Sequence, residues 1–129
     1  MTAFHADHCL LAMARILISE PNPDVRQLFE HMVRRLGHEP LALWSVTPET
    51  AATIDLMLVE SADPACVVLA VEARRLHPAL PVVAVSIFPP AADSAFHSDA
   101  HLLKPFALGE LRAVLDRFLG ACKAKRPPE

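Results

Sequence analysis

Glycine is scarce: the chain has three in 129 residues. No glycine-rich phosphate loop follows its first apolar segment, which counts against a nucleotide or flavin site of that construction. The three cysteines, Cys9, Cys66 and Cys122, are odd in number and far apart. They make no disulfide framework, so a reducing cytoplasm is the expected setting. No apolar run approaches the roughly 20 residues a membrane helix needs. Neither sign of charge dominates: the net charge is −3, and no basic cluster occurs before Lys123-Ala124-Lys125-Arg126. That argues against a nucleic-acid surface and makes this short tail a soluble chain end.

What is present is apolar content, 53% of the residues. At this length it implies one domain with a real core. The organising stretch is Asp55-Leu56-Met57-Leu58-Val59-Glu60. Four consecutive apolar residues bounded by acids read as a strand buried on both faces, as in the middle of a parallel sheet. Glu60 then stands at the carboxyl end, where open α/β sheets carry their chemistry.

Residues 1–13 fit no element and are expected to be a disordered leader, or an addition before a natural start at Met13. The apolar run from Cys9 to Ala14 lacks a preceding positive charge and is too short for a signal peptide. His5, His8 and Cys9 suggest zinc, but no second ligand pair lies at a suitable spacing. The domain is expected over residues 14–122, followed by a flexible tail over 123–129.

Within the domain the apolar patterning alternates between strand and helix. Residues 16–18 read as the first strand. Asn22 then suits an N-cap, Pro23 the first helical position and Asp24 the positive end of the helix dipole. Val25, Leu28, Phe29, Met32, Val33 and Leu36 form one apolar helical face, stopped at Gly37. A second strand is expected over 41–46, at an edge because Pro40 cannot donate to a ladder. Within it Trp44, the single tryptophan, is read as packing, with a contact surface as the alternative. Thr47-Pro48-Glu49 opens a short helix ending near Thr53, and the third strand covers 54–59. A helix over 64–76 is expected to face inward through Val67, Val68, Val71 and Leu76, with Cys66 in the core or at its boundary. The fourth strand, 82–85, ends at Ser86. At most a short helix fits around 93–98, because Pro89 and Pro90 deny an earlier start. The fifth strand covers 101–103, and a last helix runs from 108 to about 122. It turns Leu108, Leu111, Leu115, Phe118 and Leu119 inward. Short connections and right-handed crossovers give a flavodoxin-like, doubly wound parallel sheet of five strands. The expected order is 2-1-3-4-5, with shortened second and fourth helices.

That order brings Ser19, Glu20, Glu60, Ser86 and Lys104 to one crevice at the carboxyl edge. The segments carrying them resemble those of a response-regulator receiver domain over residues 14–120. Residues 15–26 resemble its first strand and acidic turn, 55–60 its phospho-acceptor strand, and 80–86 the strand ending in the switch hydroxyl. Leu103-Lys104-Pro105-Phe106 resembles its lysine turn, where the family usually has a cis Lys–Pro bond. The resemblance implies a phospho-acceptor position at Glu60, where the family has aspartate, and a switch aromatic position at His101. It also implies a magnesium turn in which Glu20 is kept and Pro21 replaces the second acid. Pro21 removes one carboxylate and Glu60 advances another by a methylene, so a magnesium site on Glu20 and Glu60 is weak or lost. In-line phosphoryl transfer is then mispositioned.

The leading expectation is a pseudo-receiver: a non-enzymatic, phosphorylation-independent module acting by protein contact, with no required cofactor. Its partner would be a histidine kinase, another regulator or an output protein. A homodimer through the face of the fourth helix, fifth strand and fifth helix is also anticipated. The alternative is a receiver that still takes phosphate, on Glu60 or Asp63, with weak magnesium-dependent turnover. Blander readings stand beside these: Glu60–Lys104 as a local ion pair, Glu20 as a counter-charge, Ser86 as a strand-end hydroxyl serving the backbone, and His101 as a packed histidine.

Overall fold

A computed structural model describes residues 13–89 and 96–120. His5, His8, Cys9, Cys122 and the basic tail lie outside the described residues, as do residues 93–95 of the short helix expected around 93–98; residues 96–98 are not helical. Strand β1 spans Arg15–Ser19, β2 Glu39–Leu41, β3 Leu56–Glu60, β4 Val82–Ser86 and β5 Ala100–Leu103. Helix α1 spans Pro23–Arg35, α2 Pro48–Thr53, α3 Pro64–Leu76 and α4 Leu108–Leu119. The sheet order is β2-β1-β3-β4-β5, and every pairing is parallel.

The strands' two-residue period divides the core. Ile16, Ile18, Leu56, Leu58, Val83 and Val85 face α1 and α4 and pack with Phe29, Met32, Val33, Leu111 and Leu115. Leu17, Met57, Val59 and Val82 face the other way, onto Cys66, Leu69, Ala70 and Ala73 of α3. The central strand β3 is buried from Leu56 to Val59, as its unbroken apolar run requires. Burial of each such side chain is worth about 1.5–3 kcal/mol relative to exposure, so the sheet holds its strand ends on a stiff base.

The helix starts follow their caps. Asn22 Oδ1 accepts the N–H groups of Asp24 and Val25 at 2.9 and 3.2 Å. Thr47 and Thr50 form a reciprocal capping box at α2. Gly37, at φ +89°, turns the chain out of α1 in the left-handed region that glycine adopts without penalty.

Three expectations need correction. The second strand is Glu39–Leu41 rather than 41–46, and it includes Pro40, which pairs with Ile16 at the sheet edge. Beyond it Leu43 and Val46 pack onto the α3 side of the core from a loop, so their apolar character reflects burial without a ladder. In α1, Leu28 is exposed; the buried arc is narrower than the apolar face. In α3, Val68 and Val71 are exposed, and the buried residues are Cys66, Leu69, Ala70 and Ala73. This helix is apolar on both sides over its first two turns, so hydrophobicity alone did not say which side faces the sheet. Small side chains do face it, allowing close approach.

At the amino edge, His38 Nδ1 accepts the Ala14 N–H at 3.0 Å. Burial holds the imidazole below its ordinary value of 6.5, although Asp116 and Asp55 pull the other way. A depressed folded-state value gives stability that is complete above the unfolded value and is lost as pH falls through the folded one. The urea midpoint should therefore drop as pH falls below the ordinary histidine value, and His38→Asn, which keeps an acceptor for Ala14, should flatten that drop. Equal slopes in the two proteins would show that His38 is not the group responsible.

Candidate functional site

Three strand ends build the site. At the end of β1 the chain turns through Glu20-Pro21-Asn22. Glu20 Oε2 accepts the Asn22 N–H at 3.1 Å, and the Arg26 guanidinium donates to the Glu20 carbonyl at 2.8 Å. At the end of β3, Glu60 Oε2 accepts the Ala62 N–H at 2.8 Å. Three residues after Glu60, Asp63 caps α3 by accepting the Cys66 N–H at 3.0 Å. At the end of β5, the Lys104 N–H donates to the Ser86 carbonyl at 2.8 Å, and the Lys104–Pro105 bond is cis.

These ends place one ammonium between two carboxylates. Lys104 Nζ donates to Glu20 Oε1 at 2.7 Å and to Glu60 Oε1 at 2.6 Å. The Glu20 side chain is 4% exposed, Glu60 11% and Lys104 16%. Nζ also lies 5.7 Å from the Phe29 ring centroid, and Phe29 in turn packs against Phe106 at 5.1 Å. Burial alone would lower the Lys104 pKa; its hydrogen bonds and charge interactions with Glu20 and Glu60 outweigh that, and the net shift is upward. The stability that the Lys104 charge contributes is thus present below the ordinary lysine value and is lost as pH rises through the raised one.

Of the residues singled out in the sequence, Glu20, Glu60 and Lys104 meet directly. Pro21 is exposed beside them and offers no ligand. Ser86 is buried, and its hydroxyl accepts the Phe88 N–H at 3.1 Å, the service to the backbone expected of a strand-end hydroxyl. His101 is half-buried, and its Nε2 donates to the Phe88 carbonyl at 3.0 Å. Both side chains therefore fasten the backbone of Phe88, whose ring is exposed together with Ile87 and Leu103. Cys66 is a core thiol; burial pushes it up to about 11, so it is protonated at neutral pH.

Magnesium does not fit this arrangement. Among the described residues no group of three or more His, Cys, Asp or Glu side chains is arranged to hold a metal ion. The two acids present already have all four oxygens on N–H or ammonium donors.

One pairing beside the site escaped the sequence reading. Arg26 joins the Glu20 carbonyl to Trp44, its guanidinium carbon 5.2 Å from the ring centroid. Trp44 is 67% exposed, so the packing reading was wrong for it. Nothing local in the sequence pairs residues 26 and 44; the crossing of α1 over β1 does.

The fold and this edge define a class: the chain has the fold of CheY-like response-regulator receiver domains. Among solved structures it is similar to the receiver domain of a sensor histidine kinase from Pseudomonas aeruginosa, described with magnesium coordinated in the active-site cleft. The TM-score is 0.67 at 23% identity, over 84% of this chain and 99% of that one. It is likewise similar to a receiver domain protein from Methanospirillum hungatei, with TM-score 0.68 and 18% identity over 88% and 98% of the two chains. A response regulator from Thermotoga maritima, in complex with magnesium and BeF, matches at TM-score 0.67 and 20% identity, over 82% and 99%. No protein-family model and no curated protein matches the chain.

Removing one partner of a buried pair strands the rest. Lys104→Met should cost about 3 kcal/mol at neutral pH, because Glu20 and Glu60 then face each other without a cation. The loss should shrink as pH is lowered, since protonating either carboxylate relieves the repulsion. Urea denaturation of the variant across pH checks both; a loss below about 0.5 kcal/mol would class the contact with exposed pairs.

Proposed function

We propose that this protein is a receiver-like module of two-component signalling that acts by protein contact without phosphorylation and without catalysis of its own. The observation carrying this is the Lys104 ammonium held by both Glu20 and Glu60. Where receivers of this fold would present an aspartate and a magnesium turn, this chain has a glutamate already bonded to the lysine, and a proline. Lys104 supplies the positive charge that both acids need, so the pocket is complete without a divalent ion or a phosphoryl group. Asp63, the other candidate acceptor, is engaged as the cap of α3. The fit to receiver domains over nearly their whole length supports the signalling role.

The partner is a histidine kinase, another regulator or an output protein, met in the cytoplasm. Described residues of the fifth strand and last helix, with Ile87, Phe88 and Leu103 exposed at their upper corner, offer the contact. A homodimer on that face is the competing use of it. The short helix expected around 93–98 as part of that face lies outside the described residues over 93–95 and is not helical over 96–98.

Amide NMR of the protein alone, with Mg²⁺, and with Mg²⁺ and beryllofluoride tests the reading. No shifts at Ser86, Lys104 or His101 are expected. Shifts there, spreading into α4, would restore a phosphate-accepting receiver and overturn it. Pro21→Asp combined with Glu60→Asp should gain Mg²⁺-dependent shifts at the same residues. If it does not, the shortened segments, more than the two substitutions, closed the site.

A further inference from the structure

The outward side of α3 has no role in the site or the core. Pro64, Val68, Val71 and Arg75 follow one another at intervals of four, three and four, which lines them up on one face of the helix. Val68 is 67% exposed and Val71 56%. They lie opposite the buried Cys66, Leu69, Ala70 and Ala73. From Pro64 to Val71 the helix has no charged residue at all. Two β-branched side chains at this spacing form the seam of a helix pair, and being stiff they lose little rotamer freedom on burial.

We infer that α3 self-associates: the partner is a second copy of this chain, docked antiparallel through Val68 and Val71. The charges choose both occupant and direction. The helix has Asp63 at its amino end and Arg74 and Arg75 in its last turn. A parallel pair would set Arg75 on Arg75, Glu72 on Glu72 and Asp63 on Asp63. An antiparallel pair centred between the valines sets Val68 on Val71 of the other copy. Arg75, paired with Glu72 of its own helix, then lies along the other copy's Pro64. No like charges are opposed, and the helix dipoles run head to tail. One helix pair buries less than the roughly 1,600 Å² of a stable complex, so the dimer is weak, on the order of tens of micromolar. The inference does not depend on the signalling reading, and it leaves the Ile87–Phe88–Leu103 corner free for a different protein.

Analytical ultracentrifugation of the full chain over about 5–500 µM should show reversible dimerisation, weakened at least tenfold in Val68→Glu. A monomer throughout overturns the inference. So does association that survives Val68→Glu but is lost in Leu103→Glu, which would place the dimer on the β5 corner. Cross-linking tests direction even if the charged variant folds poorly. In a background with Cys9→Ser and Cys122→Ser, an oxidised mixture of Val68→Cys and Val71→Cys chains should give the mixed disulfide in excess. An excess of either homodisulfide would overturn the antiparallel arrangement.

Discussion

One ammonium shared by two carboxylates fixes the carboxyl edge of this sheet. Lys104 reaches across from β5 to the ends of β1 and β3, and each acid returns its second oxygen to a backbone N–H in its own turn. The cluster carries one more negative charge than positive. The Asn22 and Ala62 N–H groups share the excess, and the Phe29 ring lies near the cation on its other side. A buried pair of this kind adds little net stability over an apolar substitute, yet it is costly to break from one side. Its effect is therefore on geometry. Three loops from distant parts of the chain are held in one arrangement.

That arrangement extends beyond the acids. The Lys104 backbone N–H is bonded to the Ser86 carbonyl, the Ser86 hydroxyl to the Phe88 N–H, and the His101 imidazole to the Phe88 carbonyl. Both backbone groups of Phe88 are thus tied to the ends of β4 and β5. The exposed rim of Ile87, Phe88 and Leu103 is positioned by the same strand ends that hold the ion cluster. A contact surface built this way is presented ready formed, at a low ordering cost on binding.

Most of the architecture was legible because it rests on periodicity and caps. The four-residue apolar run before Glu60 announced a central strand, and Asn22-Pro23 and Thr47-Pro48 announced helix starts. The meeting of Glu20, Glu60 and Lys104 followed from strand order alone. What failed did so where local pattern underdetermines tertiary placement. Leu43 and Val46 are apolar because a loop folds onto the core, so alternation misplaced β2. Val68 and Val71 looked like core because α3 is apolar on both sides over its first two turns; its sheet-facing side is set by small residues, Ala70 and Ala73, that a hydrophobicity pattern ranks low. Arg26 with Trp44 was invisible, since stacking between a helix and a loop leaves no spacing signature. Residues 1–12 and 90–95 lie outside the described residues, so the reading of the leader is untested there, and of the short helix expected around 93–98 only residues 96–98 are tested, where no helix forms.

The misread helix is informative for a physical reason. A helix covering one face of a sheet needs one apolar stripe, and a polar outer face keeps it soluble. On α1 that division holds broadly, with Arg34 and Arg35 in the last turn. On α3 the outer stripe remains aliphatic until Glu72 and Arg75 pair at its far end. Within the monomer those valines return nothing, as they touch neither core nor site, while exposed aliphatic area invites association. A copy of the same helix, reversed, is the cover proposed for them, and it opposes no like charges along the seam.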